Sequence, residues 1–296
     1  CHVPRSRQAR HTATDNAAGL AHPAQQQRSD ATVVAANCAR AQEALRVLEE
    51  FGRSCDPELA RVAEHCRYRL YDLETRLLAD QSRRQRLAAE RLYLITSPVP
   101  QLLAVVEQAL QAGVKLVQHR SKLTDDLPRY QEAVALRDLC AAHGALFIVN
   151  DRVDLALAVE ADGVHLGQGD LPPAQARRLL GPDRLIGRST HAPAQLQQAM
   201  ADGCDYAGVG PLQATPTKPG REPVGLDYLR QAAQIATIPH YAIGGVDVQL
   251  LPALLEAGGP HCRVAVVRAV MEAADPAAAA RPLVELLADG LAERAA

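Results

Sequence analysis

"LYLITSPVPQLLAVVEQALQAGVKLVQHR", residues 92–120, decides the fold. Leu92–Thr96 is a short run of the apolar and β-branched residues that suit a pleated strand. Ser97-Pro98-Val99-Pro100 forms a turn, residues 101–113 have helical composition, and Gly113 stands where a helix C-cap belongs. Residues 114–120 then read as a second strand. The stretch is one strand, one helix and the next strand.

The same alternation runs outward to the C-terminal end. Strands are expected at 92–96, 114–120, 145–150, 163–168, 185–190, 206–211, 238–245 and 263–269, with helix-like segments such as "LPALLEAGG" between them. Eight strands, each followed by a helix over about 200 residues, match the count of a (β/α)8 barrel. A doubly wound open sheet is the competing architecture, and eight regular units favour closure. The first strand-to-helix turn lacks G-x-G-x-x-G, which argues against a dinucleotide fold.

Upstream the pattern differs. Residues 31–86 read as two helices: Ala41, Leu45, Leu48 and Phe51 recur at helical spacing, and Gly52 is expected to end the first helix. Asp56-Pro57-Glu58 has the order of a helix start, with Asp as N-cap and Pro at the first position. Leu59, Val62, Cys66, Leu70, Leu73 and Leu77 form the second apolar stripe. Arg40, Glu43, Arg46, Glu49, Arg61, Glu64 and Arg67 read as a solvated charged face, and Arg83, Arg84 and Arg86 as linker or last-turn cations. Residues 1–30 lack periodicity and read as a disordered tail. The expected organisation is a tail over 1–30, a helical accessory domain over 31–86 and a catalytic barrel over 91–290.

The 296-residue chain is 48 % apolar, enough for a sizeable core, and its net charge of −2 gives no electrostatic case for nucleic acid or an anionic membrane. Aromatics are 3 % with no Trp, which argues against base-stacking surfaces. No apolar stretch reaches the roughly 18 residues of a membrane span. Seven scattered cysteines without a Cys-x-x-Cys pair suit reduced thiols in a cytoplasmic protein.

Active sites of the expected barrel lie at the C-terminal ends of its strands, and the unusual polar residues fall there. The second strand ends in Gln118-His119-Arg120-Ser121-Lys122, the third in Asn150-Asp151 and the fourth in Gln168-Gly169-Asp170. The fifth gives Ser189-Thr190-His191, the sixth leads to Thr215-Pro216-Thr217-Lys218, and the seventh ends in Gly244-Gly245. Asp151 and Asp170, paired without a His/Cys cluster, suit a hard cation such as Mg²⁺. Arg120, Lys122 and Lys218 can converge on an oxyanion, and Mg²⁺ with three cations suits a diphosphate. The competing reading makes each acid an N-cap of the following helix. Gly244-Gly245 and the segment after the eighth strand sit where this fold often binds a second phosphate through backbone N–H groups. The turn-rich loop over 215–220 reads as a lid, and His165 as a hydrogen-bonded core histidine.

These motifs carry a resemblance. "YLIT", "VQHRSK", "FIVNDRVDLALAVEADGVHLGQGD", "IGRSTH", "YAGVGPLQATPTK" and "AIGGV" follow one another as in the thiamine phosphate synthase family, over residues 91–290. The resemblance implies a (β/α)8 barrel that joins hydroxymethylpyrimidine diphosphate to thiazole phosphate, giving thiamine phosphate and pyrophosphate, with Mg²⁺ required. It implies that Gln118, His119, Arg120, Ser121, Lys122, Asn150, Ser189 and Lys218 bind the pyrimidine diphosphate. Arg120, Lys122 and Lys218 would stabilise the departing pyrophosphate, and Asp151 and Asp170 would hold Mg²⁺. Thr215, Pro216, Thr217, Gly245 and the Val267-Arg268 backbone would hold the thiazole phosphate. His119, Ser121, Arg188 and Arg268 depart from the family pattern, and His119 is expected to alter packing under the pyrimidine. The helical segment resembles the extension of some bacterial members, cyanobacterial ones among them. A thiazole tautomerase on the same barrel and a non-catalytic ligand-binding barrel are the alternatives. The partners implied are small-molecule substrates, with a homo-oligomer left open.

Overall fold

A computed structural model of the chain describes residues 30–214, 222–259 and 261–292. The expected tail, up to residue 29, lies outside the described residues. Two compact units emerge, Cys1–Leu78 and Ala79–Ala296, and the division falls inside one helix.

The described part of the first unit is helical. α1 (Asp30–Cys55) runs straight through Gly52. That glycine does not end the helix. It lets the first turn of the next one approach, because a Cβ at Gly52 would stand 2.8 Å from the Ala60 backbone nitrogen. α2 (Pro57–Ala89) starts as its sequence requires: Asp56 Oδ1 accepts the Glu58 and Leu59 N–H groups, both at 3.1 Å. Cys38, Ala60 and Ala63 are buried here. Glu49 is also buried, held by Arg67 at 3.0 Å and Arg53 at 2.5 Å. Glu49 therefore leaves the solvated face where its spacing placed it. Of the expected stripe, Val62, Cys66 and Leu73 are exposed.

The second unit is the barrel. Its elements are β1 (Leu92–Ile95), α3 (Leu102–Gln111), β2 (Leu116–His119), α4 (Asp126–Ala142), β3 (Leu146–Asn150), α5 (Val153–Ala158) and β4 (Gly163–Leu166). Then come α6 (Pro173–Leu180), β5 (Leu185–Thr190), α7 (Pro193–Ala201), β6 (Tyr206–Val209), α8 (Gly225–Ile235) and β7 (His240–Ile243). α9 (Leu251–Gly258), β8 (Arg263–Val266), α10 (Arg268–Met271) and α11 (Pro276–Ala292) complete it. The strands are parallel and close in sequence order, β1 pairing with β8. No helix of the described residues is long and apolar enough to cross a membrane.

Strand alternation divides the core in two. Leu92, Leu94, Val117, Phe147, Val149, Val164, Ile186 and Ala207 point outward and pack with the helices. Tyr93, Ile95, Leu116, Leu146, Ile148, Leu185, Tyr206 and Tyr241 point inward and fill the barrel. The three tyrosines meet edge to face, with ring centroids 5.2–5.8 Å apart. Gly187 makes room for them: any Cβ there would collide with the Tyr206 ring.

The N-terminal ends of the strands carry a charged set that the sequence had not disclosed. Asp162 accepts the Phe147 N–H and the Arg83 Nε, each at 2.9 Å. Asp205 accepts the Ile186 N–H at 2.7 Å, Arg84 at 2.7 Å and Arg177 at 2.6 Å. Arg83 and Arg84 are thus anchors of the last turns of α2, not linker cations. Leu87 from the same turns is 1 % exposed and belongs to the barrel-interior cluster. The Tyr241 hydroxyl donates to the Leu87 and Glu90 carbonyls behind it. Cys140, Cys204 and Cys262 are buried, and burial pushes their thiols up to about 12, 12 and 11.

Candidate active site

At the C-terminal ends of the strands the barrel opens into a cavity of about 440 Å³. Period 2 explains its lining. Two residues beyond each inward core residue, the next inward side chain reaches the mouth: Gln118 after Leu116, Asn150 after Ile148, His165 after Gly163, Ser189 after Gly187, Ile243 after Tyr241, Val267 after Ala265. Arg120, Gly245 and Arg268 line the same cavity. The structure therefore brings together seven of the residues expected from sequence: Gln118, Arg120, Asn150, Ser189, Gly245, Val267 and Arg268.

The others are placed differently. His119 alternates with Gln118 and so faces away from the cavity. Its Nε2 pairs with Glu132 on α4 at 2.7 Å, its ring stacks on Phe147, and it is 2 % exposed. It cannot pack beneath a ligand in the barrel mouth. Burial pulls the His119 pKa down against the opposing pull of Glu132. Ser121 and Lys122 lie on the loop after β2, where Ser121 Oγ accepts the Leu123 N–H at 3.2 Å and Lys122 is exposed. Thr215, Pro216, Thr217 and Lys218, with the expected lid, lie outside the described residues.

The two acids stand at neighbouring strand ends. Asp151 follows β3 with φ 64°, and its N–H donates to the His165 carbonyl of β4 at 2.8 Å. Asp170 closes the loop after β4: its Oδ2 accepts the Gly167 N–H at 2.6 Å. The N-cap positions of α5 and α6 belong to Arg152 and Pro172, so neither acid occupies a cap position. No cluster of three or more His, Cys, Asp or Glu able to hold a metal occurs among the described residues. Neither acid lines the cavity, and each offers oxygen donors of the hard kind.

Sequence reasoning gave no role to several lining residues. Tyr93 and Tyr241 form the floor, while His191, Asp247 and Glu272 stand on the walls. His191 Nδ1 pairs with the Gly210 carbonyl, and Asp247 Oδ1 accepts the Leu250 N–H at 2.8 Å. His165 is hydrogen-bonded in the core as expected, yet it also lines the cavity, with Nε2 2.9 Å from Ser189 Oγ. The signal that finds Tyr93, His165 and Tyr241 is inward register, which depends on knowing which strand face is inside. On the opposite rim, Gly244 and Gly245 have φ of 107° and 73°, and a Cβ at Gly245 would clash with the Gln213 side chain. Only glycine suits that conformation and that space.

Residues 92–270 match the Thiamine monophosphate synthase family, and residues 2–76 match the ThiD2 family. A thiamine-phosphate synthase of Prochlorococcus marinus is 54 % identical over 290 residues, covering 95 % of this chain and 82 % of its own length. One from a Synechococcus species is 55 % identical over 295 residues, covering 97 % and 83 %. Among solved structures, a thiamine phosphate pyrophosphorylase from Pyrococcus furiosus is 34 % identical with a TM-score of 0.64. That match covers 70 % of this chain and 99 % of the Pyrococcus chain.

Proposed function

The chain belongs to the thiamine monophosphate synthase family, and on that premise we propose how its barrel mouth joins hydroxymethylpyrimidine diphosphate to thiazole phosphate. The enzyme is a transferase whose products are thiamine phosphate and diphosphate. The observation that supports the site assignment is the convergence of Gln118, Arg120, Asn150 and Ser189 with Gly245 and Arg268 in one cavity. The first four would take the pyrimidine diphosphate. Gly245, with the Val267-Arg268 backbone, would take the thiazole phosphate, because closely approachable N–H groups at a barrel mouth suit a phosphate. Thr215, Thr217 and Lys218 would complete the two phosphate sites.

The chemistry needs a departing diphosphate and a captured pyrimidine cation, with no protein nucleophile. Arg120, Lys122 and Lys218 would stabilise charge on the leaving oxygens, and the fixed barrel walls would orient the acceptor nitrogen. Asp151 and Asp170 fit a hard divalent cation: both are oxygen donors on adjacent strand ends, and the Gly167 N–H fixes the Asp170 carboxylate. Mg²⁺ held there would neutralise diphosphate charge. Residues 31–86 are proposed as an accessory domain, since the barrel alone supplies the residues this chemistry uses.

The test is turnover of both substrates with and without Mg²⁺. Thiamine phosphate should form only with the metal. Asp151→Asn and Asp170→Asn should each lower kcat at least about 100-fold, the scale of one lost charge-stabilising group. Their thermal midpoints should stay near wild type, because Asn at 170 can still accept the Gly167 N–H. Binding of both substrates without turnover would favour a ligand-binding barrel, and isomerisation of the thiazole alone a tautomerase.

A further inference from the structure

At the cavity floor and walls, five groups from five strands form one unbroken line of hydrogen bonds. Gln118 Nε2 donates to the Tyr93 hydroxyl at 2.6 Å. Tyr93 and Tyr206 hydroxyls stand 2.8 Å apart. The Tyr206 hydroxyl lies 3.2 Å from His165 Nδ1, and His165 Nε2 lies 2.9 Å from Ser189 Oγ. Tyr93, Gln118, Tyr206 and His165 are at most 7 % exposed, so bulk water does not interrupt the line.

Such a line has a direction, because each hydroxyl carries one proton. An amide NH₂ only donates, so the Tyr93 oxygen accepts from Gln118 and its proton passes to the Tyr206 oxygen. The Tyr206 proton then goes to His165 Nδ1. A neutral imidazole that accepts at Nδ1 carries its hydrogen at Nε2 and donates it to Ser189 Oγ. The Ser189 proton is left to point at a ligand. At the other end, the Gln118 amide keeps Oε1 as its atom for a ligand.

We propose that Tyr93, Tyr206 and His165 are positioning residues that set Ser189 as a hydrogen-bond donor, and Gln118 as an acceptor, toward the bound substrate. The assignment rests on the transferase reading above and deepens it. A serine whose proton is committed to the cavity is preorganised to meet charge that develops on a leaving oxygen. It needs no reorientation when the reaction begins. The reverse polarity would make Ser189 an acceptor, the wrong partner for an anion, and would need the Gln118 amide turned over. Burial raises the pKa of both phenols far above its ordinary range, so the line keeps its protons at neutral pH.

The experiment uses the full chain. In wild type, ¹⁵N NMR of the His165 ring should show the neutral Nε2–H tautomer. Tyr206→Phe and Tyr93→Phe keep the rings and remove one hydroxyl each. Each should lower kcat about tenfold while KM for thiazole phosphate and the thermal midpoint stay near wild type. In a Ser189→Ala background, Tyr206→Phe should cost nothing further, because it acts through that hydroxyl. Multiplying losses in the double variant, or an Nδ1–H tautomer in wild type, would overturn the proposal. If Tyr206→Phe fails to fold, the wild-type tautomer carries the test. A wild type that makes no thiamine phosphate would remove the transferase reading, while the tautomer would still decide the polarity.

Discussion

The barrel and the helical hairpin use hydrophobic periodicity in opposite ways. In the barrel, every strand position faces either the interior or the helices, and both faces are covered. A period of two therefore leads directly to burial. In the hairpin, the residues buried between α1 and α2 are small or charged: Cys38, Ala60, Ala63 and Glu49. Val47, Phe51, Val62, Tyr68 and Leu73 are instead exposed, Phe51 to 64 %. Close approach at Gly52 and Ala60 explains the choice, because two helices that come this near leave no room for Leu or Phe between them. Periodicity tells which residues share a face, and the packing partner tells which face is inside.

The boundary between the two regions offers the largest effect. A chain starting at residue 79 keeps Arg83, Arg84 and Leu87 and should fold and turn over. A chain starting at residue 88 loses the Leu87 side chain from the barrel interior and the anchors on Asp162 and Asp205. Its thermal midpoint should fall by about 10 °C or more, from a loss of roughly 3–5 kcal/mol. Equal midpoints for the two chains, measured by calorimetry, would dissolve the distinction drawn at the end of α2.

A smaller effect separates point changes on the two sides. Leu87→Ala should cost about 2–5 kcal/mol, since it empties a filled interior. Phe51→Ser should stay within about 0.5 kcal/mol, as for other exposed positions. Denaturant titration of both variants checks the contrast, and a large loss for Phe51→Ser would mean that a partner covers the hairpin face.

The smallest effect is a pH dependence confined to the hairpin. Burial opposes ionisation of Glu49, but the hydrogen bonds and charges of Arg67 and Arg53 outweigh it and hold the carboxyl below its usual range. A depressed native pKa stabilises the fold above the unfolded value of about 4.3 and loses that effect as pH falls through the native value. The helical signal of wild type should therefore outlast that of Glu49→Gln on heating at pH 6, and the gap should narrow as the pH falls below about 4.3. A gap that does not narrow on acidification would show that the pair is not the cause.

Much of the cavity lining was legible in the sequence. Gln118, Arg120, Asn150 and Ser189 stood out because polar residues at strand ends are costly unless they have work to do. His119 misled because the same strand end carries it one residue later, where alternation sends it outward to Glu132. Tyr93, Tyr206 and Tyr241 looked like ordinary strand aromatics. Their cluster forms only when β1, β6 and β7 close around one axis.

The sequence by itself determined the eight repeats, their order, the helix start at Asp56 and the polar strand ends that line the cavity. Each of these follows from local forces: residue spacing, turn composition and capping. Only the tertiary structure decided which strand face is inside, that Glu49 meets Arg67, that Leu87 fills the barrel from below, and that Gln118 and Ser189 are joined through two tyrosines and a histidine. These are contacts between residues apart in the chain: the Glu49–Arg67 pair needs the two helices to meet, and the others exist only once the sheet has closed on itself.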